Sequence, residues 1–376
     1  MIRVLHSVSY MHRAGVETFL MNYYRHIDRT VVQFDFLCNK ELPGDYDKEI
    51  LELGGRIFYR PGFDLLSEQN YVSFWEDFLK VHPEISIIHT HNGAKQYYPL
   101  QGAMKAGFPV RIAHAHGTGF VHDEKYDHRM ALIKLLPQTA SHYFGCSNMA
   151  GRFFFGDNCW EQQGTLIRNA IPSAAFAWNP STRQNIRTEY HIEGCYVIGH
   201  VGRFQEQKNH LRLLEIFKEV HDNNHNARLL LIGNGKLKQA IISKTKELGI
   251  SETVLLVGEQ ADMARWYQAM DVFVMPSLFE GLTLSGVEAQ AAGLPCVFSD
   301  VVSRETKMTP PVEFVSLEDS NAHWAEIILK YSTFHRTDTS ALIEKAGYNI
   351  CIEAKRLQTI YLSLLSNNNE RNYSHE

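Results

Sequence analysis

The stretch that decides the fold is Ala269–Asp300, AMDVFVMPSLFEGLTLSGVEAQAAGLPCVFSD. Asp271-Val272-Phe273-Val274-Met275 is an apolar, β-branched run of the kind that forms a strand buried in a parallel sheet. Pro276-Ser277 ends it, and a short loop carries Glu280 and Gly281. A helix is predicted to start between Thr283 and Ser285, to carry Glu288 in its first turns and to stop at Gly293, with Pro295 beyond. Cys296-Val297-Phe298 reads as the next buried strand. Two carboxylates therefore bracket a helix N-terminus that follows a strand.

Free backbone N–H groups at 282–285, together with the helix dipole, favour an anion. Glu280 and Glu288 bring no positive charge to it, so they suit hydroxyl groups instead. A molecule with phosphate in the middle and polyols on both sides meets these demands, and a nucleotide sugar has that shape. Against this stands the general tendency of acidic residues to collect at helix starts.

Glu-Gly and Glu288 spaced in this way after V-F-V-x-P-S, followed by Glu-Ala-x-Ala-x-Gly-x-Pro, resemble the signature of retaining glycosyltransferase family 4, of the bacterial exopolysaccharide and capsule type. The resemblance implies the α/β architecture called GT-B. Two Rossmann-like parallel-sheet domains face each other across a cleft, and a C-terminal helix crosses back to the N-domain. It also implies a nucleotide-sugar donor, with a UDP-sugar favoured over a GDP-sugar, and no cofactor or bound metal. The expected divisions are 1–172 for the acceptor-side domain, 173–196 for a linker, 197–355 for the donor domain and 356–376 for a cross-over helix and disordered tail.

Composition fits two domains of ordinary size: 376 residues, 44% hydrophobic and 21% charged. A net charge of −5 gives no basic footprint, so no nucleic-acid partner is expected. The cysteines at 38, 146, 159, 195, 296 and 351 form no Cys-x-x-Cys pair and suit a reducing cytoplasm. The opening MIRVLHSVSYMHRAG lacks the apolar core of a signal peptide, and no run reaches membrane-spanning length. The expected location is cytoplasmic, with peripheral contact at the inner membrane face as an option. Arg129, Lys134, Arg152 and the Phe153-Phe154-Phe155 triplet could serve such contact, but an ordinary packed helix is the favoured reading of them.

Toward the N-terminus, Ile2–Val8 reads as a strand and Gly15–Ile27 as a helix, with a loop between them that opens on the helix start. The resemblance places Gly15 against the donor, although Ala14 stands where the family has a first glycine. Short strands at 34–38, 56–59, 85–90, 110–114 and 142–146 alternate with helices at 46–53 and 71–81, which argues for a parallel sheet. Two strand ends carry paired histidines, His89-Thr-His91-Asn92 and His114-Ala-His116-Gly117. Alternate residues on a strand share a face. Three readings are open for them: polar strand ends, a zinc site, or the family's donor-contacting histidine. On the last, His116 lies near the reacting carbon, and His91 and Asn92 line the acceptor side. Asp45-Tyr-Asp47 reads as capping chemistry, not as a metal motif.

Toward the C-terminus, Val197–Gly202 is a strand, followed by Arg203-Phe-Gln-Glu-Gln-Lys208-Asn209 and an amphipathic helix. Cations at a helix start oppose its dipole unless an anion sits there. Arg203 and Lys208 match the family's diphosphate-binding stretch, V-G-R-F-x-x-x-K-N, in which Gly202 also falls. The resulting expectation is that His116, Glu280, Arg203 and Lys208 are catalytic. Gly15, Gly202, Arg203, Lys208, Gly281, Leu282, Thr283, Leu284 and Glu288 are expected to hold the donor, whose base meets backbone near 257–262. No enzyme base is evident, and in the family the leaving phosphate takes the acceptor's proton. The partners implied are the donor and a glycan or lipid-linked hydroxyl acceptor. Rival readings are a GT-B nucleotide-sugar epimerase, a non-catalytic nucleotide-sugar-binding subunit and a metal-dependent hydrolase built on the histidines.

Overall fold

A computed structural model describes residues 1–39, 41–60 and 68–373. Two units share the chain: Met1–Ala170 with Ile350–Glu376, and Ile171–Asn349. The first holds a seven-stranded sheet of β1 (Ile2–Val8), β2 (Val32–Cys38), β3 (Ile57–Tyr59), β4 (Ile85–Thr90), β5 (Val110–Ala115), β6 (His142–Gly145) and β7 (Gly164–Leu166). Its order is β3-β2-β1-β4-β5-β6-β7. The second holds β8 (Tyr196–Val201), β9 (Ala227–Ile232), β10 (Val254–Gly258), β11 (Val272–Met275), β12 (Cys296–Ser299) and β13 (Val312–Val315), in the order β10-β9-β8-β11-β12-β13.

All the recorded pairings are parallel. This is why the strands carry continuous apolar runs: crossover helices cover both faces, and β2 and β11 are buried along their whole length. In each sheet the order reverses once, between β1 and β4 and between β8 and β11. Ligands bind at the carboxyl ends of the strands flanking such a switch point. The predicted Ala269–Asp300 unit is β11, a loop, the helix Leu284–Ala291 and β12.

The division of the chain differs from the expected one in two places. Residues 173–196 do not form a linker; they carry helices Ser173–Phe176 and Pro180–Glu189 and belong to the second unit. Arg183 and Arg187 both pair with Asp271 at the start of β11, and Arg187 Nη2 lies 2.6 Å from its Oδ2. Ion pairs fix this helix in place, without an apolar stripe. The final helix also runs from Ile350 to Tyr373, so it starts earlier than expected and replaces most of the predicted irregular tail. No Pro or Gly interrupts 350–373, so propagation continues cheaply. Residues 374–376 of that tail lie outside the described residues.

Phe154 and Phe155 are buried, and Phe155 stacks near Trp160 with ring centroids 6.2 Å apart. Asp47 caps Gly44 N at 2.7 Å and Asp45 accepts from Arg13 N at 2.9 Å, in keeping with a capping role. Among the described residues no helix is long and apolar enough to cross a membrane. All six cysteines are free.

Candidate functional site

In the second unit the carboxyl ends of β8 and β11 build one polar corner. After β8 the chain passes Gly202 and the exposed Arg203 and makes a 3-10 turn, Glu206–Lys208. It then enters the helix His210–Asn223 through Asn209, which holds a left-handed φ of 55°. Asparagine is among the few non-glycine residues that take this conformation readily. Glycine is needed at Gly233 beneath the corner, whereas at Gly202 a side chain would press only on the Lys208 and His200 side chains. A Cβ on Gly202 would sit 3.1 Å from Lys208 Cε, and one on Gly233, at φ 140°, would sit 2.1 Å from Gly202 O.

The loop after β11 is stitched to the 3-10 turn by Gln207, which sequence reasoning passed over. Its carbonyl accepts from Leu278 N at 2.8 Å, and its side-chain amide donates to Phe279 O at 3.0 Å. Glu280 is thereby delivered to Lys208, whose Nζ donates to Glu280 Oε1 at 2.6 Å. Both side chains are largely buried, 16% and 9% exposed. Two residues drawn from motifs about seventy positions apart therefore share one ion pair.

The predicted helix start is also in place. Thr283 is the N-cap, its Oγ1 accepting from Gly286 N at 2.9 Å, and Gly281, Leu282 and Leu284 are buried beside it. Glu288 is buried within that helix, and Tyr267 Oη donates to it at 2.8 Å. Burial pushes its carboxyl up to about 7, against the pull of the tyrosine hydrogen bond.

Two further histidines back this corner. His200 Nδ1 donates to Val274 O at 2.8 Å, and its Nε2 is buried with no hydrogen-bond partner. His210 packs edge-on against it with centroids 4.8 Å apart. Burial pulls both down, His200 to about 4 and His210 to about 2, and the Lys208 charge adds to each. Both are neutral at physiological pH. A histidine inside an apolar strand carried no sequence signal beyond its oddity there.

The remaining predicted residues belong to the first unit. Gly15 begins the helix Gly15–His26, and a Cβ there would meet nothing within 4 Å, so packing does not require a glycine. Asn92 Nδ2 donates to Ser7 Oγ at 3.3 Å. His91 is held between two other histidines: Nε2 faces His6 Nδ1 at 3.1 Å and Nδ1 faces His116 Nε2 at 2.9 Å. Both His91 ring nitrogens are engaged, so an acceptor-side hydrogen bond would have to come from Asn92 or the partly exposed His116. Alongside, His89 Nε2 faces His114 Nδ1 at 3.1 Å, and His89 Nδ1 faces Tyr361 Oη at 2.7 Å. His6 was not foreseen; it arrives because β1 pairs with β4 in a register that sets His6 beside His89.

Residues 195–331 match the family model described as "Glycosyl transferases group 1". EpsF of Bacillus subtilis (strain 168), provisionally named a glycosyltransferase, is 33% identical over 368 residues, covering 96% of each chain. An Escherichia coli enzyme named UDP-Gal:alpha-D-GlcNAc-diphosphoundecaprenol alpha-1,3-galactosyltransferase is 25% identical over 225 residues, covering 57% of this chain and 58% of its own. Among solved structures, Anabaena Alr3699/HepE in complex with UDP-glucose superposes with a TM-score of 0.79 at 16% identity, over 96% of this chain and 100% of that one. Sucrose-phosphate synthase from Thermosynechococcus elongatus gives 0.78 at 18% identity, over 98% and 100%. At these identities the structural likeness speaks for the fold, two Rossmann-like units of the GT-B kind.

Proposed function

Because this chain belongs to the group 1 glycosyltransferases, we propose that it moves a sugar from a nucleoside-diphosphate sugar, a UDP-sugar in preference to a GDP-sugar, to a hydroxyl of a glycan or lipid-linked acceptor. The anomeric configuration is retained and no bound metal takes part. The reaction serves surface polysaccharide synthesis in the cytoplasm, at or near the inner face of the membrane.

The observation that carries this reading is the Lys208–Glu280 pair at the switch point of the second sheet. A diphosphate arriving there meets Lys208, Arg203 and the N-terminus of the Leu284–Ala291 helix, which together favour charge developing on the leaving group. Lys208 turns toward phosphate, and the released Glu280 carboxylate accepts from sugar hydroxyls, so one contact is exchanged for two. Glu288 serves the ribose. His116 is the histidine assigned to the donor sugar by family resemblance, and the departing phosphate takes the acceptor's proton on the same face.

Calorimetric titration of UDP, GDP and ADP, each with its common sugars and with EDTA present, tests this. One UDP-sugar should bind in EDTA, and Lys208→Ala should weaken it by roughly 1.5–3 kcal/mol, as for a hydrogen bond to a charged group. Binding that requires a divalent ion, or that ignores Lys208→Ala, would remove the phosphate assignment.

A further inference from the structure

We propose that His91, His114 and His116 form a binding site for a borderline divalent transition-metal ion of the zinc class; the site shares His116 with the proposed sugar-transfer machinery, and the ion itself is not required by that step. One ring nitrogen of each lies within 4.8 Å of the others. Tetrahedral zinc with Zn–N near 2.0–2.1 Å sets ligand nitrogens about 3.4 Å apart, so modest side-chain rotation closes the set. His91 Nδ1 and His116 Nε2 already stand 2.9 Å apart. Alternate spacing raises a zinc reading for these histidines, and the lateral pairing of β4 with β5 is what brings the two strand ends together.

The surrounding hydrogen bonds supply what such ligands need. A metal-bound imidazole commonly donates its other N–H to an outer partner, which fixes the tautomer. His114 Nε2 is buried and has no partner, while its Nδ1 faces His89 Nε2, and His89 Nδ1 in turn faces Tyr361 Oη. With N–H on both Nδ1 atoms, this row runs outward to the tyrosine oxygen and leaves a lone pair on His114 Nε2. In the same way His91 Nε2–H donates to His6 Nδ1 and leaves His91 Nδ1 as a lone pair. The ion then takes the place of the proton between His91 and His116. That proton moves to His116 Nδ1, so binding releases none.

The environment is aromatic. Phe19 stands edge-on to His114 at 5.3 Å and to His116 at 5.4 Å, and Phe144 closes on His114 at 6.0 Å. Such walls disfavour imidazolium and keep lone pairs available to a metal. His6, His89 and His91 form a second convergent set, but all three are buried. His116 is partly exposed, so the chosen set is the one of the two that reaches solvent. Three imidazoles and no carboxylate select the zinc class over magnesium or calcium.

Titration of the chelator-stripped full chain with Co2+ tests the site. One equivalent should bind with the visible absorption of a tetrahedral site, and Zn2+ should displace it. His114→Gln should weaken uptake at least about tenfold, whereas His323→Gln, at an exposed position, should leave it unchanged. Because a buried substitution can unfold the unit, X-ray absorption at the zinc edge of the unaltered chain reads the ligands directly and should return three imidazole nitrogens. Absence of saturable uptake, equal uptake by a folded His114→Gln variant, or a shell lacking imidazole would overturn the proposal. Nucleotide titration in EDTA is read independently, so failure of one reading leaves the other standing.

Discussion

At Glu288 the needs of folding and of function diverge. The carboxyl is buried, Tyr267 donates one hydrogen bond to it, and burial lifts it from the ordinary 4.5 to about 7. Between those two values the folded chain holds a proton that the unfolded chain has lost. The resulting stability is fully present below about 4.5 and disappears as pH rises through about 7. A glutamine has no charge to bury and can still accept from Tyr267. Glu288→Gln should therefore raise the stability of the second unit at about pH 8.5 by roughly 1–3 kcal/mol, with the gain shrinking toward pH 5. On the role proposed for Glu288 at the ribose, the same change should weaken donor binding, because a carboxylate oxygen becomes an amide nitrogen. Calorimetric unfolding at the two pH values and a donor titration check both halves; a variant less stable than the parent at the higher pH would contradict the assignment.

At the scale of elements, the helix Pro180–Glu189 shows what sequence periodicity conveys and what it omits. Its caps are readable: Asn179 accepts from Thr182 N at 2.9 Å, and Pro180 occupies the first turn. What is missing is an apolar stripe, since Ile186 is the only apolar side chain it buries. Arginine provides the anchorage instead, and a partner some eighty residues away in sequence cannot be seen in a local window. The site divides the same way. The strand-and-loop unit, the Thr283 cap and the placement of Lys208, Glu280 and Glu288 beside them are legible, because each sits in a run whose pattern is local. Gln207, His6, His200 and His210 are not, because their roles arise from pairing between strands or loops. Asp271 tests the arginine anchorage. It accepts from Arg183, Arg187 and Val197 N just before β11, and Arg187 is only 6% exposed. Asp271→Ala strands a buried guanidinium and should cost about 3–5 kcal/mol. Asp271→Asn, which keeps one acceptor oxygen, should cost less. Urea midpoints for the pair would decide, and equal losses would show that the charge contributes little.

At the scale of the whole chain, the two units differ in how the sequence supplies them. The second is one continuous segment, Ile171–Asn349. Its core includes Leu214, Phe217, Leu229, Val274, Val297, Trp324 and Ile328, all drawn from within those limits. The first is interrupted: residues 1–170 build the sheet, but Ile350, Ala354, Leu357 and Tyr361 of the last helix complete its core. Tyr361 is fully buried, stands edge-on to Phe34 at 6.2 Å, and meets His89 through its hydroxyl. Burial of each large apolar side chain contributes roughly 1.5–3 kcal/mol, and a domain of ordinary stability has only about 5–15 kcal/mol in all. Removing the helix takes several such contributions from the first unit, whereas the core cluster of the second unit includes no residue of that helix. A chain ending at Asn349 should therefore lose cooperative unfolding of its first unit, whereas an isolated 171–349 segment should fold, unfold in one transition and still bind the nucleotide. Limited proteolysis with mass spectrometry, read alongside near-ultraviolet dichroism, distinguishes the cases. A stable 1–170 product from the truncated chain would mean that the seven-stranded sheet closes its core without the returning helix. An unfolded 171–349 segment would mean that the second core depends on residues outside it.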